Sequence, residues 1–485
     1  MRNPAMNAGA GDVEMPEVDG KDPRSGDRFE QLGKEEGLAS IDSLQEGDDL
    51  GVRHEKLQSP SHFLQRNQAG RCRHLCWGTG GTILFLLLIV LGYGWIFAGG
   101  GGACAAWERL ATRLDSAGDS DYLFLVGNEA GLSMAHAKGK ASPAMRERIP
   151  VASASKWVSA AVLLALVQNG TLSLDDHPQR FLTSWGGPDT AASFNNSDPR
   201  RRVTLEQLLS FTSGLASSAN PIACDYEEGA FDECAGAIYD ALDGENIAPG
   251  EEFHYSWRHL AVAAAMAEAA TGRSFNSMFL DLVARPVGMQ DDPTFSRGPT
   301  SPAGGLLISP SDYARFLTAL MRGDSSLMGG VVRQGMFDDA TADVNRSNLT
   351  NFKSFPGGVY EKVVRWHYSF GHWIECYQDS SEWAGGCDHP GSSDPLQKSS
   401  SVLLHQSFGA LGFYPVISSP TQPGTKRHWA IVAPPPDFSG MGPSKAIRVY
   451  RTGYPEIILA SERLQQNKKE VSWPVDCSRG LDQAQ

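Results

Sequence analysis

The stretch VASASKWVSAAVLLALVQNG, residues 151–170, places a serine and a lysine three positions apart at the start of a long apolar run. The run 154–168 is apolar on nearly every side, which predicts a helix buried in a large core, and Asn169 with Gly170 supplies its end. Positions i and i+3 share one face of a helix, so the Ser153 hydroxyl and the Lys156 amine can meet. The pair is therefore either a nucleophile with its activator or the ordinary beginning of a buried helix.

A catalytic role for this pair needs support from the rest of the chain. A serine hydroxyl is a poor nucleophile until a base takes its proton, and a lysine whose pKa is lowered can help. Chance alone supplies a Ser and a Lys at this spacing about once or twice in a chain of this size. The two residues therefore predict catalysis only if further motifs accompany them.

The composition predicts a globular protein with tails. The chain has 485 residues, of which 41% are hydrophobic and 20% charged, enough for one large folded domain or two ordinary ones. Its formal net charge is -14. Because proteins that bind nucleic acid usually carry a basic face, we expect no nucleic-acid partner.

An uncharged apolar run, residues 82–98, is close to the length that crosses a bilayer. It has no polar face and is followed by glycines 99–102, so a membrane span is favoured over a buried core helix. Positive charge precedes the run, at Arg66, Arg71 and Arg73, which predicts a cytosolic N-terminus. We expect a retained signal anchor and a single-pass type II membrane protein, with its folded part luminal or extracellular.

This topology divides the chain into five segments. Residues 1–77 are rich in Asp, Glu, Gly and Ser and nearly free of aromatic residues, which predicts a disordered cytosolic tail. The other expected segments are the span at 78–98, a linker at 99–120, one folded domain at 121–470 and a C-terminal tail at 471–485.

Cysteines and glycosylation sequons agree with this division. Cys72 and Cys76 lie before the span, as palmitoylated or as unmodified thiols. The six cysteines beyond it allow about 15 connectivities, and we expect the pairs Cys224–Cys234, Cys376–Cys387 and Cys104–Cys477. Four sequons on the same side predict a glycoprotein, at Asn169, Asn195, Asn345 and Asn348.

The folded part has strand-like segments at both of its ends. Residues 121–131 alternate apolar and polar positions, and residues 401–433 include the strand-like HWAIVA. Helical patterns lie between them, among them a short helix capped by Thr204, a long one from Arg258 to Ala270, and one capped by Ser309 or Ser311. This order predicts an α+β or mixed α/β fold, in which helices cover one antiparallel sheet and form a separate lobe beside a cleft.

Further motifs resemble those of one enzyme family. Residues 149–176, IPVASASKWVSAAVLLALVQNGTLSLDD, are similar to the active-serine helix of class C β-lactamases and penicillin-binding-protein-like serine hydrolases, which carries S-x-x-K. Four more landmarks follow in the family's order: VTLEQLLSFTSGL at 203–215, APGEEFHYSW at 248–257, AATGRSFNSMFLDLVARPVGM at 269–289 and PAGGLLISPSDYARFL at 302–317. The resemblance spans residues 122–464 and implies a β-lactamase/transpeptidase-like fold.

The resemblance assigns roles to individual residues. It makes Ser153 the acylated nucleophile, Lys156 its activating partner, and Tyr255 the general base and later acid. A free tyrosine ionises near pH 10, so Tyr255 needs a nearby cation, which Lys156 can supply. The third motif, usually K-T-G or H-x-G, aligns with Ser407, Phe408 and Gly409, and implies an oxyanion hole formed by the N–H groups of Ser153 and Ala410.

This chain departs from the family pattern at two positions. Trp257 stands where the family has the Asn of Y-x-N, and Ser407 stands where it has Lys or His. Both changes weaken the expectation of a β-lactam or D-Ala-D-Ala peptide as substrate and favour a less charged ester or amide. We expect Gly409 to make room for substrate along the strand.

Histidines near these motifs leave alternatives open. His405 replaces Ser407 as the first residue of the third motif if the strand slips by two positions, since such a shift keeps side chains on one face. His254 and His259 flank the tyrosine motif and either pack or face solvent. No spacing of His or Cys residues suggests zinc, and we expect no cofactor.

The sequence therefore predicts a membrane-anchored serine hydrolase that acts through an acyl-enzyme on an ester or amide. The alternative is a catalytically inactive member of the same fold that binds or scaffolds a partner. The oligomeric state does not follow from the sequence.

Overall fold

The computed structural model describes residues 102–466, except for 141, 187–197, 216–223, 225–229, 243–247, 324–326, 328, 342–343, 345–365, 378–401 and 421–426. The predicted tail and membrane span lie outside these residues, as do the predicted C-terminal tail 471–485, Cys72, Cys76, Cys387, Cys477, Asn195, Asn345 and Asn348. Within the described part of the chain, no helix is long and apolar enough to cross a bilayer.

The domain is built on a seven-stranded antiparallel sheet with the strand order β2-β1-β10-β9-β8-β7-β6. Its strands are β1 (Tyr122–Asn128), β2 (Gly131–Lys138), β6 (His367–Tyr368), β7 (Trp373–Tyr377), β8 (Val402–Gln406), β9 (Tyr414–Pro420) and β10 (His428–Ala433). A second, three-stranded sheet has the order β3-β5-β4 and consists of β3 (Ile149–Pro150), β4 (Thr294–Phe295) and β5 (Leu306–Ile308). The prediction of one main sheet that joins strands near Tyr122 with strands in 401–433 is confirmed, but β6 and β7 come from residues 367–377, which were not predicted as strands.

Helices cover both faces of the main sheet and fill the middle of the sequence. They are α1 (Gly102–Asp115), α2 (Ser155–Gln168), α3 (Leu205–Leu209), α4 (Phe231–Ala241), α5 (Arg258–Thr271), α6 (Phe275–Phe279), α7 (Arg285–Val287), α8 (Ser301–Gly304), α9 (Pro310–Arg322), α10 (Gly330–Phe337) and α11 (Pro443–Gln466). Strand β10 contacts both α9 and α11, which explains why all six of its residues are buried. The fold is thus the mixed α/β arrangement that the sequence predicts.

Helix α2 is the buried helix that the opening stretch predicts. Every residue from Ser155 to Leu166 is buried, because its apolar residues lie on all sides rather than along one stripe. The helix ends at Gln168, and Asn169 follows as its C-cap with an exposed side chain. The Asn169 sequon is therefore on the surface, and its glycosylation stays a prediction.

Helix α1 occupies most of the interval 99–120, which the sequence predicts to be a linker. Leu110 and Leu114 are fully buried and pack against α11 at Gly453. The contact is close, because a Cβ added to Gly453 would lie only 2.9 Å from Leu110 Cδ1. Glu456 of α11 also accepts a salt bridge of 3.3 Å from Arg109 Nε. Since α1 packs on α11, the packed domain begins earlier than the predicted boundary at residue 121. The glycine in α11 allows the two helices to approach closely.

One of the three expected disulfides lies within the described residues. Cys224 and Cys234 are bonded, with their Cα atoms 5.5 Å apart, which confirms this pairing. Cys234 belongs to α4, so the bond joins Cys224 to that helix. The other two pairs each include a cysteine outside the described residues and stay predictions.

Candidate active site

Ser153 lies in a short 3₁₀ turn, Ala152–Ala154, between β3 and α2. The turn is held from behind, because the Val151 N–H donates a hydrogen bond of 3.1 Å to the Leu306 carbonyl of β5. Ala152 has a φ of 46°, a left-handed conformation that costs free energy for a residue with a side chain. Ala152 and Ala154 are buried, whereas Ser153 is partly exposed, so Ser153 is the one residue of the turn that is not buried.

Lys156 brings its ammonium to this hydroxyl from the first turn of α2. Its side chain is only 4% exposed, and Nζ lies 3.0 Å from Ser153 Oγ. Nζ also donates to the Ala303 carbonyl at 2.7 Å. The structure therefore brings together the two residues that the sequence pairs, although Ser153 stands just before the α-helix rather than within it.

The segment 301–306 holds this end of α2 through hydrogen bonds. Besides the contact from Lys156 to Ala303, the Ser159 hydroxyl donates to the Pro302 carbonyl at 2.6 Å. The Leu306 N–H donates to Ser155 Oγ at 3.0 Å. Sequence reasoning used this segment only as a family landmark and missed the role of Ala303, although the quoted PAGGLL motif was the available signal.

Tyr255 lies beside Lys156. Lys156 Nζ is 4.8 Å from the centroid of the Tyr255 ring, which is half-buried. The ring stacks on Trp373 of β7, with the centroids 5.3 Å apart and an interplanar angle of 20°. The side chains of Ser153, Lys156 and Tyr255 therefore lie close together, and their catalytic roles stay predictions. Trp373 is a neighbour that sequence reasoning missed.

The third motif closes the site from the end of β8. Ser407 is buried, and its hydroxyl donates to the Ser153 carbonyl at 3.2 Å. A Cβ on Gly409 would overlap the carbonyl oxygen of Val151, so glycine is needed here for the approach of two backbone segments. This contact with the protein's own chain, rather than the room for substrate that we expected, explains the glycine.

Two backbone N–H groups are candidates for binding a developing oxyanion. Within the described part of the chain, neither the Ser153 N–H nor the Ala410 N–H donates a hydrogen bond to a protein acceptor. Both belong to segments that the Ser407–Ser153 and Gly409–Val151 contacts hold together. The arrangement can therefore offer donors to a carbonyl oxygen that becomes charged during attack by the hydroxyl.

The two further residues predicted to contact substrate lie in different surroundings. Trp257 is half-buried, lies two residues after Tyr255 and is the N-cap residue of α5. His405 is buried in β8, where its Nδ1 donates to His372 Nε2 at 3.0 Å and its ring meets Phe337 at a centroid distance of 4.8 Å. His405 therefore packs against His372 and against Phe337 of α10. The structure places Ser407 rather than His405 against Ser153. In the described residues, no group of three His, Cys, Asp or Glu side chains is arranged to hold a metal ion.

The comparisons with known proteins agree with this fold. A family model described as Beta-lactamase matches residues 98–413, so the chain belongs to the β-lactamase family. Among solved structures, the LovD9 mutant of simvastatin synthase (LovD) from Aspergillus terreus is 17% identical, with a TM-score of 0.51 over 74% of this chain and 100% of its own.

Two further solved structures share the fold. EstCE1, described as a hydrolase with promiscuous acyltransferase activity, is 16% identical, with a TM-score of 0.50 over 73% of this chain and 99% of its own. SurE is 17% identical, with a TM-score of 0.50 over 74% of this chain and 76% of its own. The family that the sequence motifs indicate is confirmed.

We expect the free energy of unfolding to decrease as the pH falls from 7.5 to 5.5. Burial lowers the pKa of His259, His372 and His428 to about 3, and lowers that of His405 well below its usual value. In the unfolded chain these groups take up protons near pH 6.5 whereas the folded chain does not, so each costs on the order of 1 kcal/mol of stability at pH 5.5.

One buried acid opposes this loss of stability. Burial raises the pKa of Glu375 to about 7, so its protonation in the folded state stabilises the protein as the pH falls. The four histidines outweigh it, and we expect a net loss on the order of 3–4 kcal/mol. Urea denaturation at both pH values measures the change, and unchanged or higher stability at pH 5.5 would contradict the assigned protonation states.

Proposed function

We propose that this protein is a serine hydrolase that forms an acyl-enzyme on Ser153 and acts on uncharged esters or amides. The observation that carries the proposal is the 3.0 Å contact between Ser153 Oγ and Lys156 Nζ, at a serine that is partly exposed. A nucleophile within hydrogen-bonding distance of an activating group is the basic requirement of covalent catalysis. Membership of the β-lactamase family supports the same chemistry.

The proposed reaction begins with attack on the substrate carbonyl. The Ser153 hydroxyl gives its proton to the Tyr255 phenolate, which the nearby Lys156 ammonium stabilises, and its oxygen bonds to the carbonyl carbon. The N–H groups of Ser153 and Ala410 stabilise the oxyanion. Tyr255 then returns a proton to the leaving alcohol or amine, which departs and leaves the acylated serine. Water attacks this ester by the reverse proton path and releases the carboxylic acid together with the original serine.

The preference for uncharged substrates follows from the third motif. Ser407 stands where the family resemblance expects a lysine or histidine, and its hydroxyl is turned to the Ser153 carbonyl. Its neighbour Phe408 is buried and lies parallel to Trp373, with ring centroids 6.3 Å apart. A substrate carboxylate at this position would lose water without gaining a cation from Ser407 or Phe408.

A pair of esters of similar length tests this proposal. We expect the purified protein to hydrolyse 4-nitrophenyl butyrate with a kcat/KM at least about tenfold higher than for the 4-nitrophenyl monoester of succinic acid. The two esters share a leaving group, so the difference reports on the charge of the acyl chain.

The remaining outcomes are also informative. Equal or faster hydrolysis of the succinate monoester would reject the preference for uncharged substrates while keeping the hydrolase. Hydrolysis of neither ester by folded protein would reject the hydrolase in favour of the inactive binding protein.

A further inference from the structure

We infer that His259 is a positioning residue that holds the Tyr255 loop in its reactive place, an inference that rests on the function proposed above. His259 lies in the first turn of α5, four residues after Tyr255, and is completely buried. Because it is fully buried, its side chain is not exposed to solvent in the cleft. Its hydrogen bonds connect the Tyr255 loop, at His254, with the loop after α3, at Ser213.

Both ring nitrogens of His259 have partners. Nε2 lies 2.7 Å from the His254 carbonyl oxygen, which can only accept, so Nε2 carries the proton. Nδ1 lies 2.8 Å from Ser213 Oγ and therefore accepts from that hydroxyl. The neutral imidazole thus has one defined tautomer, and burial supports it by lowering the pKa of His259 to about 3.

The bond to His254 acts directly on Tyr255, because the carbonyl of His254 belongs to the peptide group that precedes Tyr255. The N–H of His254 is fixed as well, since it donates to the Phe211 carbonyl at 2.9 Å. Both backbone polar groups of His254 are therefore held, one by a side chain of α5 and the other by the loop after α3.

Phe211 connects this hydrogen-bonded unit to the phenol. Its φ of 62° is unusual for a residue with a side chain, and the conformation turns the chain sharply after α3. Its ring stacks on His259 at a centroid distance of 4.6 Å and meets the Tyr255 ring at 5.6 Å. His259 thus supports Tyr255 both through the backbone of His254 and through the ring of Phe211.

The test measures the effect of His259→Phe twice, once in the natural protein and once in the Tyr255→Phe variant, which lacks the phenol. Phenylalanine keeps a flat ring against Phe211 but removes both hydrogen bonds. We expect kcat for 4-nitrophenyl butyrate to fall about 30-fold and KM to change less than about threefold, because a displaced acid–base group slows chemistry rather than binding. In a Tyr255→Phe background, the same substitution should lower kcat less than about threefold, since no phenol remains to be positioned.

Two further variants separate positioning from loss of stability. His428→Phe removes another fully buried histidine, which contacts Tyr450 of α11, and should leave kcat within about twofold. His259→Gln keeps a donor for His254 and should retain kcat within about fivefold. Thermal unfolding shows which variants are folded. If His259→Phe does not fold, Ser213→Ala replaces it, and we expect this variant to lower kcat about fivefold.

An equal loss of kcat in the Tyr255→Phe background would overturn the inference, because His259 would then act independently of the phenol. An effect on KM alone would overturn it as well. A natural protein that hydrolyses no ester would instead reject the proposed function and this inference together, so the two failures are distinguishable.

Discussion

The substitution Ser153→Ala is expected to lower kcat for ester hydrolysis by about 10⁴-fold or more. It removes the one atom that the proposed reaction acylates, Ser153 Oγ, and leaves Lys156 in contact with the Ala303 carbonyl. Since that contact persists, the fold should be retained. Steady-state kinetics with 4-nitrophenyl butyrate, corrected for spontaneous hydrolysis, measures the loss.

Ser159→Ala is the matched control for this variant. Ser159 lies in the same helix and its hydroxyl donates to Pro302, so the change costs one hydrogen bond, about 1 kcal/mol of stability, without touching the nucleophile. We expect its kcat to stay within about tenfold of the natural protein. If Ser153→Ala kept most of the activity, the nucleophile would have to be another group and the assignment of the site would be wrong.

The second large effect is expected for Gly409→Ala. The added Cβ would overlap the Val151 carbonyl oxygen, so the end of β8 and the Ser153 turn must move apart. The displacement would carry the Ala410 N–H away from the oxyanion, and loss of one such donor typically costs about 10²–10³-fold in kcat. Steady-state kinetics on folded protein measures this loss.

Gly127→Ala controls for the steric effect alone. A Cβ at Gly127 in β1 would overlap the carbonyl oxygen of Gly131, the first residue of β2, and would also meet the Trp429 ring. The two variants should lose comparable stability, but only Gly409→Ala should lose kcat in the folded protein. If Gly409→Ala retained its kcat, the Ala410 N–H would not belong to the oxyanion hole.

Helices were the part of the fold that the sequence predicted best. Helix α2 follows from its unbroken apolar run, and α5 from its periodicity and the glycine at 272, which has a φ of 65°. Thr204 forms the expected N-cap of α3, with Gln207 completing a capping box. Such local signals depend on neighbouring residues, so one sequence is enough to read them.

The interior of the site was less predictable because it depends on distant segments. Tyr255 stacks on Trp373, which lies 118 residues further along the chain. Trp373 belongs to β7, and its position depends on the pairing of β7 with β8 in the sheet. The left-handed conformation of Phe211 carries no sequence signal either, because residues with a side chain rarely adopt such a φ. Local propensity and residue spacing contain no information on the Tyr255–Trp373 contact or on the conformation of Phe211.

Gly409 and residues 102–115 show where a correct signal had an incorrect explanation. The glycine was rightly expected to allow a close approach, but its neighbour is the backbone at Val151. The glycines after residue 98 suggested a linker, whereas the next residues form α1 and pack on α11. In both cases the sequence shows that space is needed or that the chain can bend, but not which part of the fold lies opposite.

Mass spectrometry of the protein after reaction with a fluorophosphonate tests the central claim most directly. Trypsin releases residues 149–156 as IPVASASK, which contains both Ser153 and Ser155, so fragmentation can locate the adduct. Ser155 is buried and its hydroxyl donates to the Ala152 carbonyl at 2.6 Å, whereas Ser153 is partly exposed beside Lys156. We predict one adduct, on Ser153, that is absent from Ser153→Ala; an unlabelled folded protein, or an adduct on any other residue, would contradict the account.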